Sequence, residues 1–433
     1  MSIPSHLPLT DLRDPFYTGS VQKLYSIPDC PSHMVSETTS RGSVFDVGSI
    51  FTIPGSDVSR AVFRHALYSR LHSIDIWHHV RRAIENDQAL LPAYRNALLQ
   101  GPLETLCARG ARTHHAGMID ANSGAVVTEG SPEHPSRFNL VRRYTIRKPE
   151  ATPLLGRVLY DYTAFQGTDQ HVIPLEFIVR FGITGASSIF RKYSKKGEAE
   201  RIAYLEELGV KDDLVPWSMV ETPISDCTTK FEPEDRNVSR QEALLLSGLS
   251  APAFQDTLKL GVLGSWAVRL LLDDMGLTLW DIKWEFAIDG ADIVFVDTID
   301  TDSFRATRFL DMDGRHLVAH VNKQAVRDCY RILFGDWLAA VNLAKQRSQS
   351  EGIPFTEILS SGQTSGDYPP TPELPEAFLT LQEQKMKIIQ SAMLQQTEGQ
   401  EASQALERIA RKEVAFYQEQ GKLEAFLQAN TVA

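Results

Sequence analysis

Cysteine is scarce: Cys30, Cys107, Cys227 and Cys329 are far apart and lack the spacing of a metal or redox motif. They read as reduced thiols, which fits a cytoplasmic protein. Long apolar runs are missing too. No stretch approaches the ~20 residues that span a bilayer, and no basic start leads into an apolar segment, so no membrane role is expected. Nor is there an excess of basic residues. A formal charge of −11 argues against a nucleic-acid partner, although local lysines and arginines can still hold a small anion. What is present is ordinary for a globular chain: 433 residues, 42% of them hydrophobic, enough for two domains and an extension.

The most informative segment is Leu277–Asp289, LTLWDIKWEFAID. As a β-strand it places Trp280, Ile282, Trp284, Phe286 and Ile288 on one face and Asp281, Lys283 and Glu285 on the other. Taken alone it reads as a half-exposed strand with a salt-bridged outer face. A second strand, Asp292–Asp297, follows an Asp289-Gly290 turn signal. A two-residue Asp-Gly loop would send Asp297 to the apolar face. A three- or five-residue loop would gather Asp281, Lys283, Glu285 and Asp297 on one wall, and that odd-length loop is the expectation.

Residues 1–65 alternate short strand-like pieces with Gly, Pro and Ser, which suits a small antiparallel lobe. Helical spacing follows to about residue 111, with Leu67, Leu71, Ile74, Trp77 and Val80 on one stripe. Residues 112–150 read as an irregular insertion, where His114-His115 offers no complete metal-ligand set. Val172–Arg180 is a strand with Glu176 and Arg180 on one face. At roughly 13 Å apart these two cannot neutralise each other, so each needs another partner. A helical block over 240–275 carries a buried stripe that includes Leu245, Leu258, Val262 and Trp266. A linker is expected over 360–375. The tail 376–433 should form two helices divided by Gly399, capping the body in preference to driving oligomerisation. The expected division is an N-terminal lobe (1–110), the insertion (111–170), a substrate and ATP domain (171–345) and the helical extension (376–433).

In chain order these segments resemble the SAICAR synthetase (phosphoribosylaminoimidazole-succinocarboxamide synthase) family. Its hydrophobic-Pro-x-Glu…Arg…Thr-Gly-Ser motif stands here as Val172–Ala186, and its Asp-x-Lys-x-Glu-Phe motif as Asp281–Phe286. Between them Thr228–Glu232 and Asp235–Ser239 are similar to a Thr-Lys-x-Glu and Asp-x-Asn-x-Ser segment. Asp297–Arg305 resembles the Asp-Glu-x-x-x-Asp-x-x-Arg stretch, and Tyr17–Tyr25 and Ser40–Asp46 fit the same order. The resemblance covers roughly residues 14–310. It implies an α+β fold, a small antiparallel lobe over a larger sheet-and-helix domain with ATP between them. It also implies a Mg²⁺-assisted ligase that joins a carboxyaminoimidazole ribotide to L-aspartate through an acyl phosphate. Carried over residue by residue, Asp281 and Lys283 would act on the imidazole substrate, with Arg180, Arg305 and Ser187 binding its anionic groups. Gly19, Lys230 and Glu285 would bind ATP, and Glu285 and Asp297 the metal.

The departures cluster on phosphate-facing positions. The family's Gly-Lys in the first turn is Gly19-Ser20, and a second basic position is Gln22, while Lys23 points to the opposite face of an extended strand. Ala186 stands for the last residue of Thr-Gly-Ser, and Thr298 for Glu after Asp297. Arg109, Arg112, Arg137, Arg142 and Arg143 could restore the lost positive charge. Two alternatives stay open beside the purine-pathway ligase. One is a diverged ligase with a different acid or amine, and the other is a non-catalytic binding protein of the same fold. A homo-oligomer is possible in each case.

Overall fold

A computed structural model of the chain describes residues 3–312 and 314–432. It begins with short antiparallel strands, β1 (Tyr17–Thr18), β2 (Gln22–Ser26) and β3 (His33–Thr38), and a separate hairpin of β4 (Arg41–Ser43) and β5 (Ser49–Thr52). Four helices follow: α1 (Ser56–His72), α2 (Ile74–Asn86), α3 (Pro92–Leu99) and α4 (Pro102–Arg109). Their apolar stripe belongs to the large core, where Leu67, Leu71, Trp77 and Val80 are fully buried in one cluster with Phe177 and Trp284.

Residues 111–170 are not an irregular insertion. They supply β6 (His115–Ile119), β7 (Val126–Val127) and β8 (Phe138–Arg142), which complete the N-terminal sheet in the order β1-β2-β3-β8-β6-β7. Apart from Gly117, within β6, the Gly, Ser and Pro residues over 112–150 that suggested irregularity sit in the connections. Asp120 organises one of them by accepting hydrogen bonds from the amides of Asn122, Ser123 and His134. A second hairpin, β9 (Glu150–Leu154) with β10 (Arg157–Asp161), pairs with neither large sheet.

The larger sheet is built on β11 (His171–Val172), β12 (Leu175–Ile183), β13 (Ser218–Thr229), β14 (Asn237–Val238), β15 (Thr278–Asp289), β16 (Asp292–Val296), β17 (Phe304–Met312) and β18 (Arg315–His320). Its order is β14-β13-β12-β15-β17-β18, closed by β19 (Thr431–Val432), with β11 and β16 on the far half of β15. Helices α5 (Ser188–Tyr193) and α6 (Glu198–Leu208) join β12 to β13, and α7 (Arg240–Ser247) and α8 (Ala251–Asp274) lead into β15. Ile282, Trp284 and Phe286 bury one face of β15 against α8, each contributing roughly 1.5–3 kcal/mol. That burial fixes the register, since a slip of one residue would bury Lys283 in their place. Gly264 permits the approach: a Cβ there would stand 2.8 Å from the Phe295 ring.

Three apolar expectations are corrected, the first being Ile74, which is exposed at the start of α2. Leu245 is exposed. Trp280 leaves the core face because an irregularity between Leu279 and Asp281 shifts the register, so Leu279 takes the core place. Trp280 packs edge-on to Trp217 and donates its indole N–H to Thr307 Oγ1 at 2.8 Å.

Beyond β18 run α9 (Lys323–Leu333), α10 (Gly335–Glu351) and α11 (Phe355–Ser365), the last occupying the first part of the expected linker. The tail forms α12 (Glu376–Met393), α13 (Gly399–Glu419) and a third helix, α14 (Leu423–Asn430). Helix α12 lies between α1 and α13, while β19 pairs with β18, so the extension is sewn into the body. Among the described residues no helix is long and apolar enough to cross a membrane, and all four cysteines are free and buried.

Candidate functional site: a charged row between two cavities

The β15–β16 connection is short. Glu285 lies opposite Val296 and Asp289 opposite Asp292, which leaves a two-residue loop, Gly290-Ala291, in place of the odd-length one expected. A continued strand would have turned Asp297 toward the Trp284 face. The strand ends instead at Val296, and Asp297 adopts a left-handed conformation (φ +68°) that swings its carboxylate back. Aspartate tolerates this conformation better than most residues. The result is the wall the sequence suggested, reached by a different backbone route.

Lys283 is the centre of that wall. Its ammonium donates to Glu176 Oε1 at 2.6 Å and Glu285 Oε1 at 2.8 Å, and lies 3.7 Å from Asp297 Oδ2. Glu176 also accepts from Thr228 Oγ1 at 3.0 Å, and Lys230 forms a second ion pair with Glu285. Burial, reinforced by the neighbouring Asp297 charge, pushes the Glu285 carboxyl up to about 7. Burial opposes the Asp297 carboxylate as well, but Lys283 and Lys230 outweigh it and hold Asp297 below the usual range. The two carboxyls are neighbours, and their shifts run in opposite directions: Glu285 up, Asp297 down.

On one side of the row a cleft of about 560 Å³ opens between the two sheets. Tyr17, Leu24 and Met34 from the N-terminal strands give it an apolar wall; Lys230, Glu285 and Asp297 stand at its charged end with Arg64 of α1. Gln22 and Ser36 face this cleft, hydrogen-bonded at 2.7 Å, while Lys23 turns away to Glu37. On the other side lies a cavity of about 640 Å³ whose lining includes Arg191, Arg305, Arg327, Arg331 and Lys345 against Asp46 and Asp328. Residues 281, 283 and 285 alternate along β15, so the row covers roughly 13 Å from the Asp281–Arg305 pair to Glu285. Lys283 lines neither cavity itself, but its side chain keeps 32% exposure and it stands on β15 between Asp281, held by the cavity-lining Arg305, and the cleft-lining Glu285.

The model of the SAICAR synthetase family matches residues 15–342. The chain belongs to the SAICAR synthetase family. An Archaeoglobus fulgidus protein with the provisional name phosphoribosylaminoimidazole-succinocarboxamide synthase is 29% identical over 53% of this chain and 62% of its own length. The enzyme of that name from Thermoplasma volcanium is 30% identical over 38% of this chain and 54% of its own. The matched part therefore spans only about half to three fifths of these relatives. A solved structure of the Saccharomyces cerevisiae SAICAR-synthase complexed with SAICAR aligns at 17% identity over 91% of this chain and 98% of that one, with a TM-score of 0.49.

Of the family positions, Lys230, Glu285 and Asp297 line the cleft and Arg305 lines the cationic cavity, donating to Thr184 Oγ1 at 2.6 Å. Three others are placed differently from expectation. Asp281 is buried, and its oxygens are held by Arg305 Nε at 3.2 Å and Arg180 at 3.3 Å, so it faces neither cavity. Arg180 is buried too, clasping both oxygens of Asp226 at 3.0 Å, so its fork is spent inside the protein. Ser187 is fully buried behind Thr184, Gly185 and Ala186, which line the cavity themselves. Gly19, expected at ATP, is also placed differently: it sits in the β1–β2 turn outside the cleft lining, with its amide donated to the Gln22 carbonyl.

Of the five arginines offered as replacement charge, only Arg142 reaches the cleft, and it is paired with Asp289 at 2.7 Å. Arg109 and Arg112 serve Asp292, and Arg137 serves Glu37. The cleft's additional cations are Lys148 and Arg64, the latter fixed by Asp300 Oδ2 at 2.8 Å. The cationic residues missed by sequence reasoning carry one usable signal: Arg327 and Arg331 are four apart on α9 and share a face.

Asp328 lies among those cations. Burial pushes its carboxyl up to about 6, although Arg331 donates to Oδ1 at 3.0 Å. Above that pH it is charged and competes with an anion for the arginines; below it the competition ends. Sulfate, which does not titrate in this range, is therefore expected to bind about fivefold more tightly at pH 5 than at pH 7.5. Asp328→Asn should bind it at the tighter level throughout, as read by calorimetry.

Proposed function

We propose that the chain is an ATP-dependent carboxylate–amine ligase of purine biosynthesis, joining a carboxyaminoimidazole ribotide to L-aspartate. The observation that carries this reading is the Glu176–Lys283–Glu285–Asp297 cluster set between an apolar-walled cleft and a cationic cavity. The cleft suits ATP, with its base against Tyr17, Leu24 and Met34 and its phosphates toward Lys230, Lys283 and Arg64. The cationic cavity suits the ribotide phosphate and the substrate carboxylates, which Arg305, Arg327 and Arg331 can bind as forks.

A carboxylate is a poor electrophile. Attack of its oxygen on the γ-phosphorus of ATP releases ADP and leaves an acyl phosphate. The aspartate amine then adds to the acyl carbon, phosphate departs with the C–O bonding pair, and the nitrogen loses a proton. Lys283, at the centre of the charged row and partly exposed, is the residue assigned to hold the transferring phosphoryl group in line; such orientation is worth roughly 7–11 kcal/mol. Asp281 acts through Arg305, fixing its guanidinium.

Glu285 and Asp297 fit Mg²⁺. They are neighbouring hard-oxygen donors that both face the cleft, and one or two carboxylates are what Mg²⁺ usually takes from a protein, leaving its other positions to water and phosphate. Among the described residues no set of three or more His, Cys, Asp or Glu forms a cage of its own. When bound, the ion would neutralise phosphate charge.

The test is ADP release with the carboxyaminoimidazole ribotide, aspartate and Mg²⁺, with the product mass determined. The expected product carries both reactants less one water. ADP release only with another acid or amine would assign the chain to a diverged ligase, a reading that the small Ala186 in the cavity wall favours. No nucleotide binding would end the catalytic reading.

A further inference from the structure

The β9–β10 hairpin has no use in the proposed chemistry, and its exposure is unusual. Leu154, Leu155, Val158 and Leu159 are about half exposed or more, with Leu155 at 96%. Both strands lie outside the two large sheets, so each has a free edge. Such an edge is an invitation to pair.

The two edges are not equivalent. Leu154 pairs with Arg157 across a two-residue turn, Leu155-Gly156, both at positive φ. In such a hairpin the residues flanking the turn exchange hydrogen bonds, and alternate pairs do so along the ladder. The amides of residues 154, 152 and 150 therefore face 157, 159 and 161. Those of Ala151 and Pro153 on β9, and of Val158 and Tyr160 on β10, face outward. Proline has no N–H, so β9 is blocked at Pro153. Only β10 offers a complete edge.

The sequence of β10, Arg157-Val158-Leu159-Tyr160-Asp161, is complementary to itself in reverse. Antiparallel pairing centred on Leu159 sets Val158 opposite Tyr160 of a second copy, and both have outward-facing amides and carbonyls. The same register sets Arg157 opposite Asp161 at both ends and Leu159 opposite itself. Charge, parity and apolar contact agree on one register, and the contact is isologous, as a two-fold dimer requires.

We propose that β10 is a dimerisation edge, pairing with β10 of a second copy to make a four-stranded antiparallel sheet. Contact limited to this sheet would be small, so the dimer should be weak and concentration-dependent.

Sedimentation of the full chain over a range of concentrations tests it. A reversible monomer–dimer equilibrium is expected. Val158→Pro removes an outward amide without touching the hairpin's own ladder, and should shift the protein to monomer with its fold and ADP release unchanged. Arg157→Glu should weaken the dimer at least tenfold, and adding Asp161→Arg should restore it. Leu159→Cys provides an independent readout: since all four native cysteines are buried, mild oxidation should cross-link two chains through that position alone. A chain that stays monomeric at every concentration overturns the proposal and leaves the edge to a strand of some other protein. A dimer indifferent to both Val158→Pro and the charge reversal overturns it as well.

Discussion

Replacing Lys283 by Met is expected to lower ADP release about a thousandfold, with the thermal midpoint moving by no more than about 4 °C. That loss corresponds to about 4 kcal/mol of transition-state stabilisation. The ammonium touches Glu176 and Glu285 directly, with Asp297 at 3.7 Å, and its charge holds Asp297 ionised. Met keeps the volume and removes the charge. Folding should survive because Lys230 still pairs with Glu285, whose carboxyl can also neutralise itself by holding a proton. Burial works against the Lys283 charge, but the surrounding carboxylates outweigh it and keep it protonated throughout the working range, so it acts as a fixed cation and not as a proton shuttle. Arginine should not rescue, since its planar fork cannot occupy the place of a compact ammonium among three carboxylates. Unchanged ADP release in Lys283→Met would remove this residue from the mechanism.

The period-two alternation of β15 made this row legible from sequence, because a strand with one buried face has no freedom to present its charges elsewhere. The same argument gave the core faces of β12 and β15, where Phe177, Val179, Ile282 and Trp284 are all fully buried. It failed where the backbone departs from regularity. The irregularity beside Trp280 and the positive φ of Asp297 each reverse a side chain, and neither leaves a mark in composition. In the case of Asp297 two errors cancelled: the loop is shorter than expected, and the strand stops one residue early. Strands β6 to β8 were hidden because they are short and separated by turn-forming residues, so their partners, not their own pattern, make them strands. The roles assigned to Asp281 and Arg180 had a different weakness. A motif position says which residue is present, but whether its charge faces a cavity depends on partners distant in sequence, here Arg305 and Asp226.

Replacing Lys385 by Met is expected to destabilise the protein by about 3–5 kcal/mol, read as a fall in the denaturant midpoint. Lys385 and Glu413 form an ion pair between α12 and α13 in which both side chains are only 2% exposed. The ammonium donates to Glu413 at 2.6 Å, to the His320 carbonyl at 2.7 Å and to Gln382 at 3.4 Å. Removing it strands a buried carboxylate whose only other partner among the described residues is the Gln382 amide at 3.1 Å. Much of the loss is therefore the cost of an unpaired charge, and Lys385→Met combined with Glu413→Leu should recover most of it. What the double variant cannot recover is the bond to His320, which ends β18 and lines the cationic cavity. Its chain should be nearly as stable as the parent yet bind sulfate several-fold more weakly. Stability and binding restored together would mean that the C-terminal helices only brace the body; stability alone would mean that they also shape the cavity wall.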